Sequence, residues 1–257
     1  METAKSIVTE WITFEGPTYK IPVYTAQPGH EKKLPALILI HEIFGVSEHI
    51  KELATRFAKQ GLRVFAPELF AASPAFPKDP AKKEDLDTMR EVWSSIPDTV
   101  LIDDLKAILL QIQKSPNIIP DAVGTIGYCM GGAIAFMFAA SAQEISFAID
   151  YYGRIKYPQL TEAKPTHPLD FSSSLKCPLL SIFAGQDELI TPAHIELLKA
   201  KLEAAEADFE VKVFENAPHA FFNDTREHYQ PQAASQAWNI TLNFIEEHTR
   251  IPVAEHK

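Results

Sequence analysis

Val123-Gly124-Thr125-Ile126-Gly127-Tyr128-Cys129-Met130-Gly131-Gly132-Ala133 passes from a short apolar stretch through a glycine-rich turn into a run of helix formers. The core of this stretch, Gly127-x-Cys129-x-Gly131, has the G-x-nucleophile-x-G pattern of a nucleophile elbow, with cysteine in the position that serine more often takes. A side chain lifted onto a sharp strand-to-helix turn needs flanking glycines, because a β-carbon there would collide with the neighbouring strand or helix. The thiol also faces the positive end of the helix dipole, which favours its thiolate form. The competing reading is an inert buried cysteine beside a glycine-rich turn.

Reading outward from the elbow, short apolar runs alternate with segments of helical spacing. Leu37-Ile38-Leu39-Ile40 is continuously apolar behind Pro35, as expected of a strand covered on both faces of a parallel sheet. Ser47 is placed to cap a helix whose apolar residues Ile50, Leu53, Ala54, Phe57 and Ala58 fall on one face, and Gly61 is placed to end it. Strands are predicted at 62–66, 122–128, 147–151, 178–184 and 209–214, and helices at about 129–141, 192–204 and 232–247. This βαβ alternation predicts an α/β fold, a mostly parallel sheet with helices on both faces. The segments 7–14 and 19–24 lack a helical crossover and are expected to pair antiparallel at one edge.

Two stretches break the pattern. Ala71–Pro97 carries Pro74, Pro77, Pro80 and Pro97 with mixed charge and Trp93, and reads as an insertion that covers a site. Gly153–Lys176, with Pro158, Pro165, Pro168 and a Ser172-Ser173-Ser174 run, reads as a long loop of the kind that is usually functional or mobile. No linker divides the chain, so residues 1–257 are expected to form one domain.

The composition narrows the function. With 24 basic and 34 acidic residues among 257, the net charge of −10 and the scatter of the acidic residues disfavour binding to phosphate backbones or anionic lipid. No apolar run approaches the roughly 20 residues that cross a bilayer, and Met1–Lys5 lacks the apolar core of a signal peptide. The expectation is therefore a soluble cytoplasmic protein that binds neither nucleic acid nor membrane, monomeric or weakly dimeric. The two cysteines, Cys129 and Cys177, are too few for a disulfide scaffold or a four-thiolate zinc site. Cys177, beside Pro178 at the start of a strand, reads as buried filler.

In a hydrolase with this elbow, the acid and then the histidine follow the nucleophile at the ends of later strands. Asp187 stands just past the 178–184 strand and His219 just past the 209–214 strand, so the order Cys129, Asp187, His219 fits. Taken singly, an aspartate in a turn is a cap and a lone loop histidine is structural; three such placements in the right order favour a catalytic triad. His41, His219 and His228 have no metal-ligand spacing of the H-E-x-x-H kind, and no metal or organic cofactor is expected.

These segments, together with His41-Glu42-Ile43-Phe44-Gly45-Val46, Tyr151-Tyr152-Gly153, Gly185-Gln186-Asp187 and His219-Ala220-Phe221, resemble the dienelactone hydrolase (carboxymethylenebutenolidase) family of α/β-hydrolases over about residues 35–245. The resemblance implies that Cys129 attacks an ester or lactone carbonyl, that Asp187 orients His219 and that His219 relays protons. It implies that Glu42 contacts the resting thiol and takes its proton when substrate binds, protecting Cys129 from oxidation between turnovers. The same two turns place the backbone N–H groups of Ile43 and Met130 as an oxyanion hole.

A thiolate leaves more readily than most alkoxides, so attack by Cys129 is productive only on acyl groups with a good leaving group of their own. Enol esters and lactones qualify. The two arginines that hold the substrate carboxylate in the family are not matched, since Leu86 and Asn223 occupy their positions. Arg90, Arg226 and Arg154 are the candidates to replace them, and Trp93, Tyr152 and Phe221, with Phe44 and Phe222, are candidate substrate walls. The leading expectation is a cysteine hydrolase of activated small-molecule esters or lactones. The rival is a peroxide- or electrophile-sensing thiol on the same fold without ester turnover, against which the Asp187/His219 pair argues.

Overall fold

A computed structural model describes residues 6–30, 32–77 and 83–249. Residues 78–82 of the expected covering insertion and the N-terminal Met1–Lys5 lie outside the described part. The chain forms one eight-stranded sheet in the order β1-β2-β4-β3-β5-β6-β7-β8. Its strands are β1 (Ile7–Glu15), β2 (Lys20–Pro28), β3 (Leu34–Ile40), β4 (Arg63–Pro67), β5 (Ile118–Tyr128), β6 (Ala148–Tyr151), β7 (Leu179–Ala184) and β8 (Phe209–Phe214). β1 and β2 form the antiparallel edge, β2 pairs antiparallel with β4, and the remaining pairs are parallel. The α/β architecture read from the alternation is therefore the one observed.

The central strands need no polar face. Ala36 to Ile40 of β3 and Leu179 to Ala184 of β7 are buried at every position, as expected of parallel strands covered on both sides. On one face, α1 (Glu48–Lys59) meets α6 (Pro231–Thr249) through Phe57 and Trp238, whose ring centroids are 4.6 Å apart. On the other lie α3 (Asp98–Gln113), α4 (Met130–Ser141), a short 3-10 helix (Pro168–Ser174) and α5 (Pro192–Ala204). α4 is apolar on every face and is buried from Met130 through Ala140, which is how a helix without a polar stripe remains stable in water. Ser47 occupies the cap position of α1 without a side-chain hydrogen bond, and Gly61 follows the helix at φ 92°, a left-handed stop.

The stretch beyond the elbow's neighbours corrects two expectations. Ala71–Pro97 is not irregular throughout, because α2 (Lys83–Ser95) lies within it, and α3 follows directly where no helix was expected. In α3 the buried residues Leu101, Leu105, Ile108 and Ile112 have helical spacing, but Val100 and Leu110 add exposed apolar residues on the outer face and blur the pattern. The 153–176 loop is likewise partly ordered by the 3-10 helix. A buried cluster fastens this loop to the α2–α3 corner. Asp98 accepts from Lys164 Nζ at 2.6 Å and from the Tyr157 hydroxyl at 3.0 Å, and Lys164 Nζ lies 5.2 Å over the Trp93 ring.

Parallel pairing brings the carboxyl ends of β3, β5, β6, β7 and β8 to one rim, with Ile40 opposite Gly127, Tyr128 opposite Tyr151, Tyr151 opposite Ile182 and Ala184 opposite Phe214. Residues following these strands converge there, and that rim is where open α/β sheets place their ligands.

Candidate active site

Cys129 joins β5 to α4 at φ 55° and ψ −119°, a conformation that non-glycine residues rarely adopt. The turn is held by Cys129 N–H donating to Tyr151 O at 2.9 Å and Gly132 N–H to Cys129 O at 3.0 Å. Its flanking glycines are required sterically: a β-carbon on Gly127 would overlap the Gly131 carbonyl, and one on Gly131 would overlap the backbone of Ile40 at the end of β3 and of His41 just after it. Strand, helix and neighbouring strand thus approach too closely for any side chain, and the sulfur is left partly accessible at the rim.

The loops after β7 and β8 are tied together, since Gly185 N–H donates to Phe214 O and Gln186 N–H to Ala217 O, both at 2.9 Å. This fixes the separation of Asp187 and His219. Asp187 Oδ2 lies 2.6 Å from His219 Nδ1, and His219 Nε2 lies 3.1 Å from Cys129 Sγ. The other carboxylate oxygen of Asp187 accepts from Leu189 N–H at 2.8 Å and Ile190 N–H at 3.2 Å, so both oxygens are used by donors and the acid has no freedom to turn. Burial opposes a charge on His219, but its hydrogen bonds to and electrostatic interactions with Asp187 and Cys129 push its pKa up to about 10. These contacts favour the charged form of the imidazole beside the sulfur.

Glu42 follows β3 and is buried. Burial pushes its carboxyl up to about 7, against the opposing pull of the Asn223 hydrogen bond and of Arg226 and His219. Its Oε2 accepts from Asn223 Nδ2 at 2.6 Å, while Asn223 Oδ1 accepts from Thr225 N–H at 3.0 Å and Thr225 Oγ1 at 2.7 Å. Those two donors fix which way the amide faces. Among the described residues Glu42 makes no hydrogen bond to Cys129, whose sulfur instead faces His219. Asn223 is the residue that sequence reasoning passed over: its position signalled a missing arginine, and nothing in the sequence signalled a partner for Glu42.

The remaining candidates divide. The backbone N–H groups of Ile43 and Met130 have no protein acceptor among the described residues, and both stand on the turns beside Cys129. Tyr152, at φ 40°, is fully buried with its ring 5.2 Å from that of His219, and its hydroxyl has no hydrogen-bond partner among the described residues. The Arg226 guanidinium stacks 3.9 Å over Phe44 and is close enough to Glu42 to draw its pKa down. Phe221 is fully buried, its ring against those of Tyr152 and Phe214. Trp93 packs on Tyr157 and Lys164. Arg90 lies on the exposed face of α2, paired with Asp87 at 3.0 Å, and makes no contact with Cys129, His219 or Glu42. Arg154 lies near His194, where its charge helps lower that histidine's pKa after burial. Cys177 is buried, and burial pushes its thiol up to about 12. Among the described residues no three His, Cys, Asp or Glu side chains converge as a metal site, and no helix is long and apolar enough to cross a membrane.

A mostly parallel eight-stranded sheet with a strained strand–turn–helix at Cys129 and loops converging on it is the framework of an α/β-hydrolase. Residues 21–249 match the model of the dienelactone hydrolase family, and the chain belongs to that family of hydrolases. It is 32% identical over 239 residues to a "putative carboxymethylenebutenolidase" of Yersinia pestis, covering 92% of this chain and 88% of that one. A protein of the same name from Methylorubrum extorquens is 31% identical over 235 residues, covering 89% of this chain and 77% of the other. The crystal structure of a "putative dienelactone hydrolase" from Klebsiella pneumoniae superposes with a TM-score of 0.88 at 28% identity, covering 94% of this chain and 99% of that one.

Proposed function

We propose that this hydrolase cleaves activated carboxylic esters or lactones through an acyl-enzyme on Cys129, within a single domain whose site is covered by the described parts of the insertion, residues 71–77 and 83–97. The observation that carries this reading is the line of contacts from Asp187 through His219 to the sulfur, 2.6 and 3.1 Å long, on a strained turn.

In the proposed reaction the Cys129 thiolate attacks the substrate carbonyl carbon, and the C=O electron pair moves onto oxygen. Donors at Ile43 N–H and Met130 N–H hold the oxyanion, each worth roughly 10²–10³ in rate. Collapse expels the enol or alcohol oxygen, which takes its proton from His219, and leaves a thioester. His219 then removes a proton from water, which attacks the thioester and releases the acid and the thiolate. Asp187 holds the ring in the productive orientation throughout. Glu42, near neutrality between its charged and uncharged forms, is the fourth member: ionised, it favours the imidazolium; protonated, it leaves the pair less polarised.

Arg226, stacked on Phe44 beside Glu42, is the proposed anchor for a substrate carboxylate, in keeping with the carboxymethylenebutenolidase name of the relatives. Hydrolysis of an aryl acetate and of a carboxylated enol lactone by the wild type, Cys129→Ala and Arg226→Gln tests the reading. Cys129→Ala is expected to lose turnover of both substrates. Arg226→Gln is expected to raise KM for the lactone at least tenfold and to leave the uncharged ester within twofold, a loss of about 1.4 kcal/mol of binding. Equal rates for wild type and Cys129→Ala would refute the nucleophile.

A further inference from the structure

His41 follows β3 and immediately precedes Glu42, is completely buried, and packs edge-on against Phe70 with centroids 5.1 Å apart. Its two ring nitrogens are both engaged. Nε2 accepts from Leu69 N–H at 3.1 Å and lies 3.5 Å from Glu68 Oε1, while Nδ1 faces a carbonyl oxygen, which can only accept. The ring proton therefore sits on Nδ1, which donates to the Glu42 carbonyl at 2.5 Å. The same carbonyl accepts from Gly45 N–H at 3.3 Å. Glu68 reinforces the connection from the end of β4: its Oε2 accepts from Val46 N–H at 2.9 Å and its Oε1 from Phe70 N–H at 3.4 Å.

The peptide unit joining Glu42 to Ile43 is trans and planar, so its carbonyl and its N–H point in opposite directions. With the carbonyl fixed toward His41 and Gly45, the Ile43 N–H faces the other way, and it finds no protein acceptor among the described residues. We propose that His41 is a positioning residue for the oxyanion pocket, whose Nδ1–H holds the 42–43 peptide in the one orientation that presents Ile43 N–H to the reacting carbonyl. Rotation of that peptide would swing a carbonyl oxygen into the place of a donor, turning a stabilising contact into a repulsive one. Donors that need no reorganisation during reaction are what make such pockets effective. The ring does this through the backbone and touches neither substrate nor sulfur.

This inference rests on the proposed acyl-enzyme chemistry and is tested so that the two can fail separately. His41→Gln places an acceptor near Leu69 N–H but removes the donor at the Nδ1 position; His41→Asn restores an N–H donor at that position and gives up the distal acceptor. Steady-state hydrolysis of an aryl acetate is measured for both, alongside alkylation of Cys129 by iodoacetamide, a displacement at carbon that develops no oxyanion. His41→Gln is expected to lower kcat roughly ten- to a hundredfold, with KM and the alkylation rate within about twofold of wild type, and His41→Asn to recover most of kcat. Wild-type kcat in His41→Gln, or alkylation that falls in step with kcat, would overturn the proposal and leave His41 a purely structural residue. Should His41→Gln fail to fold, His41→Asn decides: near-normal kcat supports the assignment, and lost kcat with intact alkylation contradicts it. Undiminished turnover by Cys129→Ala would instead mean that the acyl-enzyme reading itself is wrong.

Discussion

Glu42 is a buried carboxyl whose nearest partner, Asn223, satisfies one oxygen without supplying charge. Its pKa, pushed up to about 7 by burial from an ordinary 4.5, means that the folded chain keeps a proton the unfolded chain has already released. Stability from this group is therefore greatest at acid pH and declines as pH rises from about 4.5 to about 7. Glu42→Gln keeps an oxygen for Asn223 and removes the ionisation, so it should melt above the wild type at pH 8 and level with it near pH 4.5, as followed by thermal denaturation. A difference independent of pH would contradict the assignment. Residues of this kind divide sharply in how far the sequence reveals them. Cys129, Asp187 and His219 each sit at a recognisable strand end, whereas the Glu42–Asn223 contact joins residues 181 apart and depends on a fold that spacing alone does not supply.

The strand–turn–helix at Cys129 is legible because its chemistry is local. Two glycines, a short apolar run before and helix formers after are what the geometry demands, and the contacts of Gly131 with the β3 backbone show why. Gly131→Ala should force β3 away from α4 and destabilise the fold by more than about 3 kcal/mol, measured by urea denaturation. A loss below about 1 kcal/mol would mean that the turn has room the structure denies. The helix α3 was not legible, because exposed Val100 and Leu110 spread apolar residues around its surface. Arg90, a candidate to replace a missing arginine, lies on α2, yet the buried side of that helix carries Met89 and Val92 and turns the arginine outward to Asp87.

Across the whole molecule, the rim of strand ends carries the candidate triad. Away from it, the 153–176 loop is fastened to the α2–α3 corner by the buried Asp98–Lys164 pair, in which both side chains are 6% exposed and Tyr157 supplies a further donor. Burial lowers the Lys164 pKa while Asp98 opposes that shift, so the pair survives only as a pair. Lys164→Met alone leaves a buried carboxylate uncompensated and should cost about 3–5 kcal/mol, whereas adding Asp98→Asn should recover a large part of that loss in the same denaturation measurement. Additive losses would show that the two side chains act independently. The alternation of strands and helices made the mostly parallel sheet and the strand-end placement of Cys129, Asp187 and His219 predictable; the fastening of the 153–176 loop to the α2–α3 corner was not, because it depends on a lysine that in sequence looks like any other in a polar stretch.

The proposed reaction stands on Cys129 carrying the acyl group during turnover. Rapid acid quench of the enzyme during hydrolysis of a slowly deacylating aryl ester, followed by intact-mass and peptide mass analysis, tests it most directly. A single acyl group is expected on the peptide containing Cys129, absent from Cys129→Ala and accumulating when His219→Ala slows its hydrolysis. Turnover without any adduct, or an adduct on another residue, would contradict it.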